Sequence, residues 1–341
     1  MKRAAITGIA GQDGTYLARW LRQQDYEVHG LLRSPFDREE ARLLRRFGPE
    51  AVAEIRWHNG SLEDPFSLVR FLKASQPDEI YHLAGVTDSR QSFNVPEQTV
   101  SAITLGTLRL LEAARELCAN ARIFLASSCE IFGVPEQVPQ DESTLKQPVT
   151  PYGIAKLAAD QFARLHRDKY GQFVSTGILY NHESPLRPPN YLASRVAKAV
   201  AAIKRGSLNE LPLADLDAER DWSDARDFVR GFWLTLQAKA PGDFVFASGR
   251  RHRVGELVEC AFKAARLDYR EFVKTTKRTS AAQQVVTGLC GNARKAETEL
   301  QWKRAWDFSQ TIEDMVRAEL ENRPEIERAN PATAPATSCI V

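Results

Sequence analysis

The chain has 341 residues, 43% hydrophobic and 26% charged, with 46 Lys plus Arg against 44 Asp plus Glu for a net charge of +2. That balance supports a core large enough for two lobes and excludes a disordered polyelectrolyte or a strongly basic nucleic-acid binder. No apolar run approaches the roughly 20 residues of a membrane helix. The five cysteines (Cys118, Cys129, Cys260, Cys290 and Cys339) are odd in number and form no CxxC pair, which argues against a disulfide framework or a zinc site. The chain opens directly into a strand with no apolar leader, so the expected setting is reducing and cytoplasmic.

Short β-rich runs alternate with helical periods through the first half. Strands are predicted at Arg3–Thr7, Glu27–Leu32, Ile55–His58, Glu79–Ala84, Ile123–Ser127 and Val174–Leu179. Apolar residues recurring at three and four predict helices at Gly14–Gln23, Val100–Leu117, Tyr152–Tyr170 and, later, Ala193–Lys204. Repeated β-α units imply an α/β fold, a doubly wound parallel (Rossmann) sheet with a smaller C-terminal lobe over its carboxyl edge. The expected cofactor domain is 1–180 with a return segment near 222–250. Residues 181–221 and 251–325 would form the substrate lobe, and the Ala/Thr/Pro-rich 331–341 a disordered tail.

The first strand runs into Gly8-Ile9-Ala10-Gly11-Gln12-Asp13-Gly14 and then a helix. A pyrophosphate needs a tight turn, close backbone approach and a helix N-terminus, and three glycines spaced by three at a strand–helix junction meet those demands. The second strand ends at Arg33-Ser34 with no acid before Asp37. An arginine and a hydroxyl there suit a ribose 2′-phosphate, so NADP is favoured over NAD. The alternative is an ordinary exposed loop arginine.

Tyr152 and Lys156 stand at i and i+4, one face of a helix. A neighbouring ammonium favours phenolate, which can take the proton from a sugar hydroxyl as hydride leaves its carbon. The fifth strand ends at Ser127-Ser128-Cys129-Glu130. Ser128 is the candidate donor to the oxidised oxygen. Glu130 is the candidate base for the C–H that a new ketone acidifies. Cys129 is either a proton donor or a buried packing residue. No metal is expected.

These stretches, with Pro77-Asp78-Glu79-Ile80-Tyr81, Gly106-Thr107-Leu108-Arg109, Asn181-His182-Glu183-Ser184-Pro185 and Glu219-Arg220-Asp221-Trp222, carry a resemblance over about 3–320. The chain resembles the extended short-chain dehydrogenase/reductases, and within them the GDP-mannose 4,6-dehydratases. The resemblance implies oxidation of a hexose C4 by NADP, proton removal from C5, loss of water from C6 and return of hydride to C6. It implies cofactor contacts from Gly8, Gly11, Gln12, Asp13, Gly14, Arg33, Ser34, Leu62, Leu83, Ala84, Tyr152, Lys156, Leu179 and His182. Substrate contacts would come from Thr87, Ser128, Asn181, Glu183, Arg187, Arg195 and Arg220, the arginines gripping a diphosphate. Relatives of this type are homodimers or homotetramers, pairing through helices equivalent to Val100–Leu117 and Tyr152–Tyr170.

Several positions depart from that family. Ser128-Cys129-Glu130 replaces Thr-Ser-Glu, and the Cys-Glu pair is similar to that of a UDP-N-acetylglucosamine 5,6-dehydratase. Ala84-Gly85-Val86-Thr87-Asp88 replaces Ala-Ala-Gln-Ser-His, and Arg278 stands near a missing Arg-Pro-x-Glu. The leading expectation is an NADP-dependent sugar-nucleotide 4,6-dehydratase. The alternatives are a 5,6-dehydratase leaving an exocyclic alkene on a sugar nucleotide or nucleoside, an epimerase, and an NADP-sensing protein without chemistry.

Overall fold

The computed structural model describes residues 1–275 and 288–321, so Arg278, Cys339 and the tail at 331–341 lie outside the described residues. The chain begins β1 (Arg3–Thr7), α1 (Gln12–Gln23), β2 (Glu27–Leu32), α2 (Phe36–Phe47), α3 (Pro49–Glu54), β3 (Arg56–Asn59) and α4 (Pro65–Ser75). It continues with β4 (Glu79–His82), α5 (Pro96–Val100), α6 (Gly106–Leu117), β5 (Arg122–Ala126), α7 (Pro151–Tyr170), β6 (Val174–Leu179) and β7 (Asn181–Glu183). Then come α8 (Leu192–Lys204), β8 (Leu211–Leu213), β9 (Glu219–Asp224), α9 (Ala225–Gln237), β10 (Asp243–Phe246) and β11 (Arg251–Arg253). Last are α10 (Val254–Ala264), α11 (Tyr269–Phe272), β12 (Val273–Thr275), α12 (Arg294–Glu299) and α13 (Phe308–Glu321).

Seven strands form one parallel sheet in the order β10–β6–β5–β4–β1–β2–β3. Successive strands wind outward in opposite directions from the β4–β1 junction, so a crevice opens at their carboxyl ends, where doubly wound sheets take ligands. Alternate side chains build two cores. Ala4, Ile6 and Phe124 meet Leu17 and Leu21 of α1 and Phe228 and Phe232 of α9. Ala5, Ile123 and Leu125 meet Leu68 and Phe71 of α4, Leu110 of α6 and Ala155 of α7. Burial on both faces explains the near-continuous apolar strands; each large side chain so buried contributes about 1.5–3 kcal/mol.

β1, β2 and β6 have the limits expected from the sequence. β4 stops at His82, two residues early, where the chain bends toward the glycine turn. The helix expected over Val100–Leu117 is interrupted: Ser101–Leu105 is one π turn between α5 and α6. Single π turns of this kind cluster at functional sites. A seventh strand, β10, adds to β6 with Phe246 opposite Leu179.

The chain divides into two compact units. Among the described residues the first comprises 1–182, 221–251 and 288–305, and the second 183–220, 252–275 and 306–321. Residues 288–305, allotted to the substrate lobe on sequence, thus fold with the first unit. Two buried carboxylates hold them: Asp221 accepts from the Gly291 N–H at 3.0 Å and Asp227 from the Ala305 N–H at 2.9 Å. The second unit packs α8 with α10 and α13 and pairs β8 with β12 in parallel.

Candidate active site

β1 ends at Thr7 and the chain turns through Gly8–Gly14 into α1. Gly8 has φ +76°, and a Cβ on it would lie 2.8 Å from the Ala84 nitrogen. A Cβ on Gly14 would lie 2.3 Å from the Gly8 carbonyl oxygen. Both positions exclude a side chain: Gly8 lets the turn close on Leu83 and Ala84 just past β4, and Gly14 lets α1 close on the turn itself. Gly11 caps α1 without a side-chain hydrogen bond, leaving first-turn N–H groups for an anion. Arg42 of α2 braces the turn by donating to the Ala10 carbonyl at 2.9 Å.

A directed hydrogen-bond chain fixes the end of β4. Thr107 Oγ1 donates to the Ile103 carbonyl at 2.6 Å, so it accepts from His82 Nε2 at 3.2 Å. Thr7 Oγ1 accepts the Ala84 N–H at 3.3 Å and donates to His82 Nδ1 at 2.7 Å. His82 is therefore neutral with its proton on Nε2, and burial, reinforced by Lys156, pushes its pKa down to about 3. The chain ties β1, β4 and the π turn together at the crevice.

Helix α7 starts at Thr150, whose Oγ1 accepts the Gly153 N–H at 2.9 Å, with Pro151 in the first turn. One turn separates Tyr152 and Lys156, each 8% exposed. The Lys156 ammonium donates to the Ala126 carbonyl at 2.7 Å and lies 5.8 Å from the Tyr152 ring centre. Burial pushes its pKa down to about 8, opposed by Asp160 and Asp13. Asp160, a turn further on, is pushed up by burial to about 7 and accepts from Ser127 Oγ at 2.7 Å.

Beyond β5, Ser128 caps a 3-10 turn, Cys129–Phe132, by accepting the Glu130 N–H at 3.2 Å. The Glu130 carboxylate accepts at Oε2 from Ser89 Oγ at 2.6 Å and from Thr150 Oγ1 at 3.0 Å. Tyr152, Lys156, Ser128 and Glu130 are thus gathered where β5 meets α7. Cys129, 5% exposed, sits in an apolar cluster with Ile131, Phe132, Ile178, Tyr180 and Val245.

Gln12, Asp13 and His182 form one knot. Gln12 donates to Asp13 Oδ1 at 3.0 Å and to the His182 carbonyl at 3.1 Å, and His182 Nε2 lies 3.0 Å from Asp13 Oδ2. Leu62 and Leu179 are buried, while Leu83 and Ala84 are partly exposed beside Gly8. Arg33 is exposed just past β2, and its guanidinium pairs with no other described residue; Ser34 is half-buried beside it. Thr87 is exposed on the loop after β4, and Asn181 opens β7 half-buried.

Glu183, Arg187, Arg195 and Arg220 belong to the second unit. There Arg187 pairs with the buried Glu183 at 3.1 Å and stacks 3.7 Å over the Tyr191 ring. Arg195 lies in the first turn of α8, and Arg220, in β9, donates to the Glu219 carbonyl at 2.6 Å.

His82, Ser89, Ser92, Thr150 and Asp160 were not singled out from the sequence. Two of them had a readable signal. Thr150-Pro151 is a helix start, and Asp160 stands four residues after Lys156. The crevice suits a dinucleotide phosphate, since the turn that a Cβ would fill, the open first turn of α1 and the Arg33 guanidinium supply close approach and positive charge. Among the described residues no group of three metal-ligating side chains occurs, and no helix is long and apolar enough to cross a membrane.

A doubly wound sheet, a glycine turn at its switch point and a buried Tyr–Lys pair on α7 define an extended short-chain dehydrogenase/reductase. The family model for GDP-mannose 4,6 dehydratase matches residues 5–315. GDP-mannose 4,6 dehydratase 1 of Arabidopsis thaliana is 37% identical over 327 residues, 94% of this chain and 90% of that one. GDP-mannose 4,6-dehydratase of Sinorhizobium fredii is 36% identical over 339 residues, 94% of this chain and 97% of that one. Among solved structures, the dTDP-glucose 4,6-dehydratase DesIV of Streptomyces venezuelae superposes with a TM-score of 0.81 at 24% identity, covering 94% and 98% of the two chains. The chain belongs to the GDP-mannose 4,6 dehydratase family.

Proposed function

We propose that this protein is an NADP-dependent 4,6-dehydratase of a sugar nucleotide. The observation that carries the reading is the coupling of Glu130 to the first turn of α7, which bears Tyr152 and Lys156. NADP held by the glycine turn, with Arg33 and Ser34 at its 2′-phosphate, would supply the oxidising power at C4 and restore it at C6.

Tyr152 takes the proton of the 4-hydroxyl, steadied by the Lys156 ammonium, while Ser128 donates to the oxygen that becomes the ketone. Glu130 then takes the C5 proton, which the ketone has acidified. That proton leaves with the C6 hydroxyl as water, giving a C5–C6 alkene conjugated to the ketone. C6 regains the two electrons lost from C4, and C5 takes a proton from solvent. The balance is one water lost and no cofactor consumed. Arg187, Arg195 and Arg220 of the second unit are assigned to the diphosphate, and Thr87 and Asn181 of the first unit and Glu183 of the second to the sugar and nucleotide. Cys129 is assigned to packing, on the strength of its apolar neighbours.

Incubation of GDP-mannose and other sugar nucleotides with the enzyme and NADP in deuterated water tests this by product NMR. The expected product is a 4-keto sugar with a 6-methyl group and deuterium at C5, and a C4 deuterium in the substrate reappears at C6. A vinylic 6-methylene, a retained 6-hydroxymethyl or stoichiometric NADPH would overturn it. Residence in the cytoplasm belongs to the same reading, supported by four cysteines that form no disulfide among the described residues. So does a homodimer or homotetramer through the stretch Val100–Leu117 and α7, where Val100 at the end of α5, Leu105 in the π turn, and Ile154 and Leu165 of α7 stay exposed. Light scattering at the mass of a single chain would refute that assembly.

A further inference from the structure

The geometry points to Ser89 and Thr150 as positioning residues that clamp Glu130 for removal of the C5 proton, with Ser92 fastening the clamp to Tyr152. This inference rests on the dehydratase reading above.

Both hydroxyls donate to one carboxylate oxygen. Ser89 Oγ lies 2.6 Å and Thr150 Oγ1 3.0 Å from Glu130 Oε2. Two donors on a single oxygen fix both the rotamer and the plane of the carboxylate. The donors come from opposite directions in the chain. Ser89 lies 41 residues before Glu130, on the loop after β4, and Thr150 lies 20 residues after it, at the head of α7.

Each donor is itself pinned. Thr150 Oγ1 accepts the Gly153 N–H at 2.9 Å, so its proton is left for Glu130. Ser92 is fully buried; its Oγ donates to the Ser89 carbonyl at 2.6 Å and accepts the Tyr152 N–H at 3.2 Å. A closed circuit therefore runs from Glu130 through Ser89 and Ser92 to Tyr152, and back through the first turn of α7 and Thr150. The group that removes the C5 proton and the group that removes the 4-hydroxyl proton are referenced to the same turn of helix. Placement within about an ångström of the reacting atom is worth up to about 10²-fold in rate, and such a circuit can supply it.

Ser89→Ala removes one donor without touching a helix cap. Thr150→Val removes the other together with the cap, and Thr150→Ser restores both and controls for helix stability. With the holoenzyme and a turned-over sugar nucleotide, Ser89→Ala and Thr150→Val are each expected to lower kcat by about 10-fold with little change in KM. Both should also build up reduced cofactor at 340 nm, because oxidation at C4 then outruns proton removal at C5. Thr150→Ser should return both signals to the wild-type level. Wild-type kcat in Ser89→Ala and Thr150→Val, or a lower kcat with no rise at 340 nm, would overturn the clamp. Glu130→Gln separates the two ideas. If it accumulates reduced cofactor while the clamp variants do not, only the clamp fails; if it also accumulates none, the assignment of Glu130 as base fails.

Discussion

Tyr152→Phe is expected to lower kcat by about 10²–10⁴-fold while leaving NADP affinity unchanged, an effect of about 3–5 kcal/mol on the barrier. The size follows from losing the group proposed to accept the 4-hydroxyl proton, a loss that would stop the sequence before any intermediate forms. The fold should not suffer. The Tyr152 ring packs within the aliphatic core between the sheet and α7, and phenylalanine fills the same volume. Lys156 keeps its bond to the Ala126 carbonyl, because that contact does not involve the phenol. Fluorescence titration with NADPH and product NMR separate the two readouts. Full activity in this variant would remove Tyr152 from the proposed mechanism.

Glu130→Gln is the second large effect, and it differs in kind. The amide oxygen of glutamine still accepts from Ser89 and Thr150, so the side chain should keep its place and lose only its basicity. Oxidation at C4 should proceed and the C5 proton should stay. The expected result is a kcat lower by at least about 100-fold, with absorbance at 340 nm rising toward one equivalent of reduced cofactor per site. Deuterium from solvent should not enter C5 of the recovered sugar. Normal exchange at C5 would mean that another group removes this proton. Tyr152→Phe should give neither turnover nor the 340 nm signal, so the pair of variants orders the two proton transfers.

Much of the framework was readable because it is local. The glycine turn, the Arg33-Ser34 pair just past β2 and the Tyr152/Lys156 spacing each lie within a few residues, where covalent geometry decides which groups share a turn or a helix face. The strand limits at Arg3–Thr7 and Val174–Leu179 came from apolar runs that a doubly buried sheet demands. The π turn at Ser101–Leu105 was not readable, since its residues carry the same apolar spacing as the helix expected there. Segment 288–305 looked like more of the second lobe because only distant partners, Asp221 and Asp227, fasten it to the first unit.

The linear order of residues was enough to determine the class of sheet, the glycine turn after β1 and the helix face that Tyr152 and Lys156 share. Each of these depends on neighbours a few bonds apart. Tertiary structure alone decided that His82 is neutral, that Cys129 is enclosed by apolar side chains, and that hydroxyls 41 residues before and 20 residues after Glu130 grip one of its oxygens. Such meetings depend on how β4, β5 and α7 pack in the sheet. A hydroxyl has no periodicity by which its distant partner can be read in advance.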